Sequence, residues 1–209
     1  MGTGKRIFMD SNALFKLTCG LFLLTARTDK DNGCIINTVL QVTASPVRII
    51  IVVNKNNYTH NMVKQTGIFN VSVLAESAQM DIYKRFGYAS GRDTSKFDGF
   101  NDVSRSKNGI LYLNRYSNAY LSGKVIEEKD LGTHTLFTAD VTDARVLTEE
   151  TSVTYDYYQD NIKPVPPAKT TSQTGFICTV CGYIYEGSTL PEGFICPVCK
   201  HGTEAFKPL

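Results

Sequence analysis

The chain has 209 residues, 42% of them hydrophobic, and a net charge of +2. Such a length suits one ordinary domain plus a small appendage, with enough apolar content for a real core. The near-neutral balance supplies no basic surface for a phosphate backbone, so no nucleic-acid partner is expected. No apolar run approaches the roughly 18 residues of a membrane span, so no membrane association and a cytoplasmic location are expected.

In chain order, Cys19–Arg27, Cys34–Val42 and Val47–Val53 read as strands, being rich in β-branched and aromatic residues. The Asn32-Gly33 pair within 29–33 predicts a hairpin turn, because such a pair tolerates positive φ. A helix is expected over Thr59–Gln65 with Thr59 as its N-cap, followed by a strand over Ile68–Leu74. Met80, Tyr83 and Phe86 share one face of a second helix, Ser77–Phe86, with Gly87 as its terminator. Strands over Ile110–Leu113, Tyr120–Glu128 and His134–Leu147 complete the set. Many strands and few helices predict a mainly β fold, a closed or nearly closed antiparallel barrel. Cys19 and Cys34 sit in apolar, strand-like surroundings and read as buried thiols.

Character changes after residue 159. Pro164, Pro166 and Pro167 stiffen the segment 160–174, and Thr170, Thr171, Ser172 and Thr174 loosen it. This reads as a linker with a reach of roughly 30–45 Å at about 3 Å per extended residue. It separates a domain over 1–159 from a small one over 175–209.

The small domain holds two C-x-x-C pairs, Cys178/Cys181 and Cys196/Cys199. Four thiolates at the corners of a tetrahedron bind a single iron or a zinc. Phe176, Tyr183, Tyr185, Phe194 and Phe206 give this short segment an aromatic shell, which shields a metal from water and helps set its potential. The alternative is a zinc ribbon that only folds the tail.

Residues 1–159 contain no dinucleotide fingerprint, no Walker lysine motif and too few histidines for a histidine-rich metal centre. Three polar clusters interrupt the strands instead. Asn37-Thr38 through Ser45-Pro46 places polar side chains along one side of an extended segment, suited to a flat polar ring or a phosphate, or simply to solvent. Asn54-Lys55 through Tyr58-Thr59 precedes a helix; Lys55 and Thr59 with the helix N-terminus suit a phosphate, or form a capped turn. Phe86-Gly87 through Ser90-Gly91-Arg92-Asp93, followed by Lys96-Phe97, allows close backbone approach at its glycines, or is a surface loop.

Taken in order, these clusters and His134-Thr135-Leu136-Phe137 resemble the flavin reductase family, whose fold is an FMN-binding split β-barrel. The resemblance covers roughly residues 11–147. It implies a homodimer with one FMN per subunit, contacted by Asn37, Thr38, Thr43, Asn54 and Lys55, with Thr59, Ser90 and Gly91 as further candidates. His134 aligns with a family histidine near flavin and nicotinamide; a histidine satisfied within the barrel is the other reading, so no catalytic residue is assigned with certainty.

The run Cys178-Thr179-Val180-Cys181-Gly182-Tyr183-Ile184-Tyr185 with the later Cys196-Pro197-Val198-Cys199 resembles rubredoxin. Its 14-residue spacing between Cys181 and Cys196 is similar to the short rubredoxin-like tails of rubrerythrins. The combination resembles the high-molecular-weight rubredoxins of anaerobes. It implies an oxidoreductase of the flavin reductase type that passes electrons from NAD(P)H, directly or through a reductase, by way of FMN to a four-cysteine iron. Delivery would be to a flavodiiron-type protein that reduces oxygen or nitric oxide. Alternatives are a flavin or ferric reductase that releases reduced flavin, and an FMN-binding protein with a structural zinc ribbon.

Overall fold

The computed structural model describes residues 13, 16–163, 175–179, 183–196 and 201–208. Its main body is a seven-stranded sheet built from β1 (Phe22–Arg27), β2 (Asp31–Ile36), β3 (Val39–Ala44), β4 (Val47–Asn54), β5 (Ile68–Leu74), β8 (Ser117–Asp130) and β9 (His134–Val146). The strands run in the order β2-β1-β5-β8-β9-β4-β3, each antiparallel to its neighbours. A separate hairpin pairs β6 (Val103–Arg105) with β7 (Leu111–Leu113).

Side chains on β4 alternate with period two: Ile49, Ile51 and Val53 are buried and their neighbours only half so. They share one buried cluster with Cys34 and Ile36 of β2, although β2 and β4 lie near opposite ends of the strand order. The sheet therefore curls around its core, which also takes Phe69, Phe137, Met62 and Val63. Each fully buried large side chain here contributes about 1.5–3 kcal/mol. The fold is mainly β, as the strand pattern predicts.

Helix α1 (Tyr58–Thr66) packs Met62 and Val63 into that core and ends at Gly67, whose φ of 68° accepts the left-handed cap. Its N-cap is Asn57, not Thr59. Thr59 lies inside the first turn, fully buried, because its hydroxyl accepts a 2.9 Å hydrogen bond from Asn32 Nδ2.

Three further details depart from the sequence reading. Asn32 and Gly33 lie within β2, and the reversal falls earlier, where Thr28 N donates to Lys30 O at 3.2 Å. Burial of Asn32 beside Thr59 outweighs its turn preference. The run Cys34–Val42 is broken after Ile36 into two strands that pair with different partners, β1 and β4. The second helix is one turn, α2 (Met80–Tyr83), continuing as a π-turn over Lys84–Tyr88 that contains Gly87.

After β9 the chain returns to the barrel through bridges of Ser152 to Ala75 and of Thr154 to Gly20. It then forms a short helical turn, α3 (Tyr155–Tyr157), extended as a π-turn to Ile162. The expected linker begins inside this turn, at Asp160; its remainder from 164 lies outside the described residues. A three-stranded sheet follows, β10 (Phe176–Cys178), β11 (Ile184–Tyr185) and β12 (Phe206–Pro208), in the order β11-β10-β12. Cys34 is buried, whereas Cys19 is only partly so. Among the described residues, no helix is long and apolar enough to cross a membrane.

Candidate functional site

A cavity of about 1090 Å³ opens beside the N-terminal end of α1, where β2, the end of β4, the start of β9 and the segment 87–92 converge. Small-molecule sites typically span roughly 300–1,000 Å³, so this one has room for a cofactor and part of a second ligand.

Asn37, Thr38, Asn54, Thr59, Ser90, Gly91 and His134 all line it. Three regular elements, β4, α1 and β9, and two loops are thus brought to one wall. Thr43 and Lys55 are not on that wall. Thr43 sits on the exposed β3, and its hydroxyl donates to Pro46 O. Lys55 Nζ is drawn to the Asp130 carboxylate at 2.6 Å. That pairing holds the Asp130 carboxyl below the ordinary carboxylate range, chiefly through the lysine hydrogen bond and then through the Gly132 amide.

Positive charge reaches the cavity's helix end from elsewhere. Arg92 lies over the Tyr58 ring, 5.6 Å from its centroid, and donates to Asn56 O at 2.8 Å. Lys30 lies 5.0 Å from the same ring and donates to Gly91 O at 2.8 Å. Asn57 makes no side-chain capping bond. First-turn amides near two cations form an environment suited to a phosphate. No local pattern marks Lys30, which arrives from the β1–β2 turn.

Backbone approach is enforced at Gly91. A Cβ there would lie 2.2 Å from Asn32 Oδ1, and Asn32 is fixed by its bond to Thr59. A side chain at 91 would therefore displace the Asn32–Thr59 pair that shapes the wall. The floor holds Cys34 and Lys96, both nearly buried. Burial pushes the Cys34 thiol up, against opposing pulls from the Thr59 hydrogen bond and the Lys96 charge. Burial also lowers the Lys96 ammonium below the ordinary amine range. At the rim, His134 Nδ1 is 2.8 Å from Thr133 Oγ1. A mixed polar wall, a close-approach glycine and a cationic end fit a planar ring carrying a phosphate tail, so the described residues suit FMN.

In the C-terminal sheet, Cys178 and Cys196 are buried in one cluster with Ala205 and Phe206, packed by Phe176, Tyr183, Tyr185, Leu190 and Phe194. Phe206 meets Tyr183 and Phe194 edge-on, at centroid distances of 6.5 and 5.4 Å. Cys181 and Cys199 lie outside the described residues. The two described thiols fit a soft metal ligand set within an aromatic shell. Cys196 N donates to His201 O at 2.7 Å, which ties residue 201 to the cysteine loop.

That loop also borders the cavity. Ile195, His201, Gly202 and Glu204 line it together with Asn37, Thr59 and His134. The residue before one candidate metal ligand and the residue hydrogen-bonded to its backbone are therefore on the wall of the candidate flavin cleft. Lys163 Nζ, donating to Thr179 O at 2.8 Å, adds a contact between the two sides.

Known proteins match both parts. The family described as "Flavin reductase like domain" matches residues 14–166, and "Rubrerythrin, rubredoxin-like domain" matches residues 176–207. High molecular weight rubredoxin of Moorella thermoacetica is 35% identical over 192 residues, covering 85% of this chain and 83% of its own. A ferric-chelate reductase (NAD(P)H) of Archaeoglobus fulgidus is 40% identical over 152 residues, covering 72% of this chain and 89% of its own. Among solved structures, the NADH:FAD oxidoreductase SgcE6 of Streptomyces globisporus C-1027 superposes with a TM-score of 0.62 at 21% identity, covering 68% of this chain and 84% of its own. An FMN-binding protein of Thermus thermophilus gives 0.60 at 18% identity, covering 70% and 81%. The chain belongs to the flavin reductase-like family, as an oxidoreductase of the flavin reductase type with a rubredoxin-like domain at its C-terminal side.

Proposed function

We propose that this protein is an electron-transfer flavoprotein. It takes electrons from NAD(P)H, directly or through a reductase, into FMN held in the cleft. It then passes them singly to an iron bound by Cys178, Cys181, Cys196 and Cys199, and on to an acceptor such as a flavodiiron-type protein. The observation that carries this reading is the shared wall: Ile195 and His201, which flank Cys196, line the same cavity as Asn37, Asn54 and Thr59.

FMN, when bound, supplies the exchange between a two-electron hydride donor and a one-electron acceptor. The chain's own residues do the rest. Arg92 and the start of α1 hold the phosphate, with Lys30 adding positive charge from behind Tyr58. Asn37, Thr38 and Asn54 orient the ring by hydrogen bonding, and Ser90-Gly91 admits it close to the backbone. His134, on the cleft wall, would meet a nicotinamide bound beside the flavin. The aromatic shell of the tail keeps water from the metal.

A homodimer belongs to the same proposal. Strand β3 is an edge of the main sheet, and Leu40, Val42 and the adjoining Val47 leave 59%, 44% and 47% of their surfaces exposed. An exposed apolar edge of this kind is normally covered.

The test is a visible spectrum of anaerobically purified protein, with metal analysis, before and after NADH. The expected result is bound FMN plus one iron, both bleached by NADH. Iron and flavin that stay oxidised with NADH but bleach when a reductase is added assign the indirect route. Zinc in place of iron removes the electron path. The similarity to ferric-chelate reductase supports a second reading, in which the cleft reduces flavin or ferric iron on its own. Ferric-chelate reduction that survives Cys196→Ser undiminished favours that reading.

A further inference from the structure

Lys96 is 5% exposed, and among the described residues it has no carboxylate within ion-pairing distance. Its Nζ donates to Gly33 O at 2.8 Å and to Phe86 O at 3.0 Å. An ammonium carries three donors, and these two carbonyls occupy two of them. Lys96 also lines the cavity, beside Cys34. A charge left in this position without a counter-charge is disfavoured unless something negative comes to it.

The other charged side chains on the wall, Arg92 and Glu204, are exposed to solvent, which screens them. Lys96 is the buried one, and its field inside the cleft is screened least. The flavin ring is neutral when oxidised. Two electrons and one proton convert it to a reduced monoanion, whereas the phosphate keeps its charge throughout. A buried cation thus acts differently on the two oxidation states only through the ring.

Resting on the flavin reading of the cleft, we propose that Lys96 is a positioning residue whose buried charge favours the anionic, reduced flavin ring over the neutral, oxidised one. It acts through the field in the floor and through the two carbonyls it draws together, and it takes no part in the transfer itself.

The test uses the full-length protein loaded with FMN, titrated spectroelectrochemically, alongside free FMN. Reduced FMN is expected to bind at least tenfold more tightly than oxidised FMN, which is about 30 mV in a two-electron midpoint. Lys96→Gln, which keeps donors for the carbonyls but removes the charge, should abolish most of that preference and change oxidised-FMN affinity less than about threefold. Lys96→Arg should retain it. A wild-type midpoint at or below that of free FMN overturns the proposal even if no variant folds. Equal weakening of both oxidation states in Lys96→Gln also overturns it, leaving Lys96 as a clip between β2 and the turn at Phe86. A protein that binds FMN in neither state removes the flavin reading itself, a result distinct from binding without preference.

Discussion

Asn32 and Gly91 are 59 positions apart in the chain, yet the Asn32 amide occupies the space that a side chain at residue 91 would need, 2.2 Å from an added Cβ. The same amide holds Thr59 at 2.9 Å. One buried asparagine therefore joins β2, α1 and the 90–92 turn at the cleft wall.

Gly91→Ala is expected to disturb that junction without unfolding the barrel, since Gly91 lies on a loop outside the sheet. FMN affinity should fall at least tenfold, with the thermal midpoint of the apoprotein lowered by only a few degrees. Fluorescence titration with FMN, paired with a melting curve, checks both halves.

Cys196→Ser should remove the metal while leaving FMN bound. The expected readings are less than a tenth of the wild-type metal content and an unchanged flavin stoichiometry. Loss of both would mean that the tail sheet supports the cleft wall structurally.

Asn70 lies fully buried in the barrel. Its amide donates to Ser106 Oγ at 2.8 Å and Ile110 O at 2.9 Å, and its carbonyl accepts from Asn108 at 2.9 Å and Ser122 at 2.7 Å. Asn70→Leu removes these four bonds from a buried network and should cost about 2–3 kcal/mol of stability. Urea denaturation of the two proteins measures it.

Cys34 gives a signed pH dependence. Burial raises its thiol pKa, so the folded chain keeps a proton that the unfolded chain releases. Stability from this group is fully present below the ordinary thiol range, near pH 8.5, and declines as pH rises through it. Lys96, lowered by burial, acts in the opposite sense. The difference in pH slope between wild type and Cys34→Ala isolates the thiol. Native protein at pH 8 should also alkylate at Cys19 well before Cys34, which peptide mapping by mass spectrometry resolves.

Much of the fold was legible because period-two burial is written locally. Ile49, Ile51 and Val53 announce a strand, and the β-branched run Ile68–Leu74 announces another. Asn32-Gly33 misled because turn preference is also local, while burial against Thr59 is decided by a residue 27 positions away. The site divides on the same principle. Asn37, Asn54 and Ser90-Gly91 occur in polar breaks between strands, and these breaks do converge on one cavity. Lys55 occupies such a break too, but its charge is drawn to Asp130, 75 positions on. Arg92 and Lys30 become neighbours only when the chain folds, by sharing the face of Tyr58. The cysteine spacing was the plainest signal, since knuckle geometry needs only a few adjacent residues.

Ile195 and His201, on the wall of the cleft, belong to the same polypeptide as the cleft. Under the proposed function, hand-off between the flavin and the metal then has no second-order step. Turnover per chain should hold steady over a thousandfold dilution, where a free carrier protein of equal affinity would fall away.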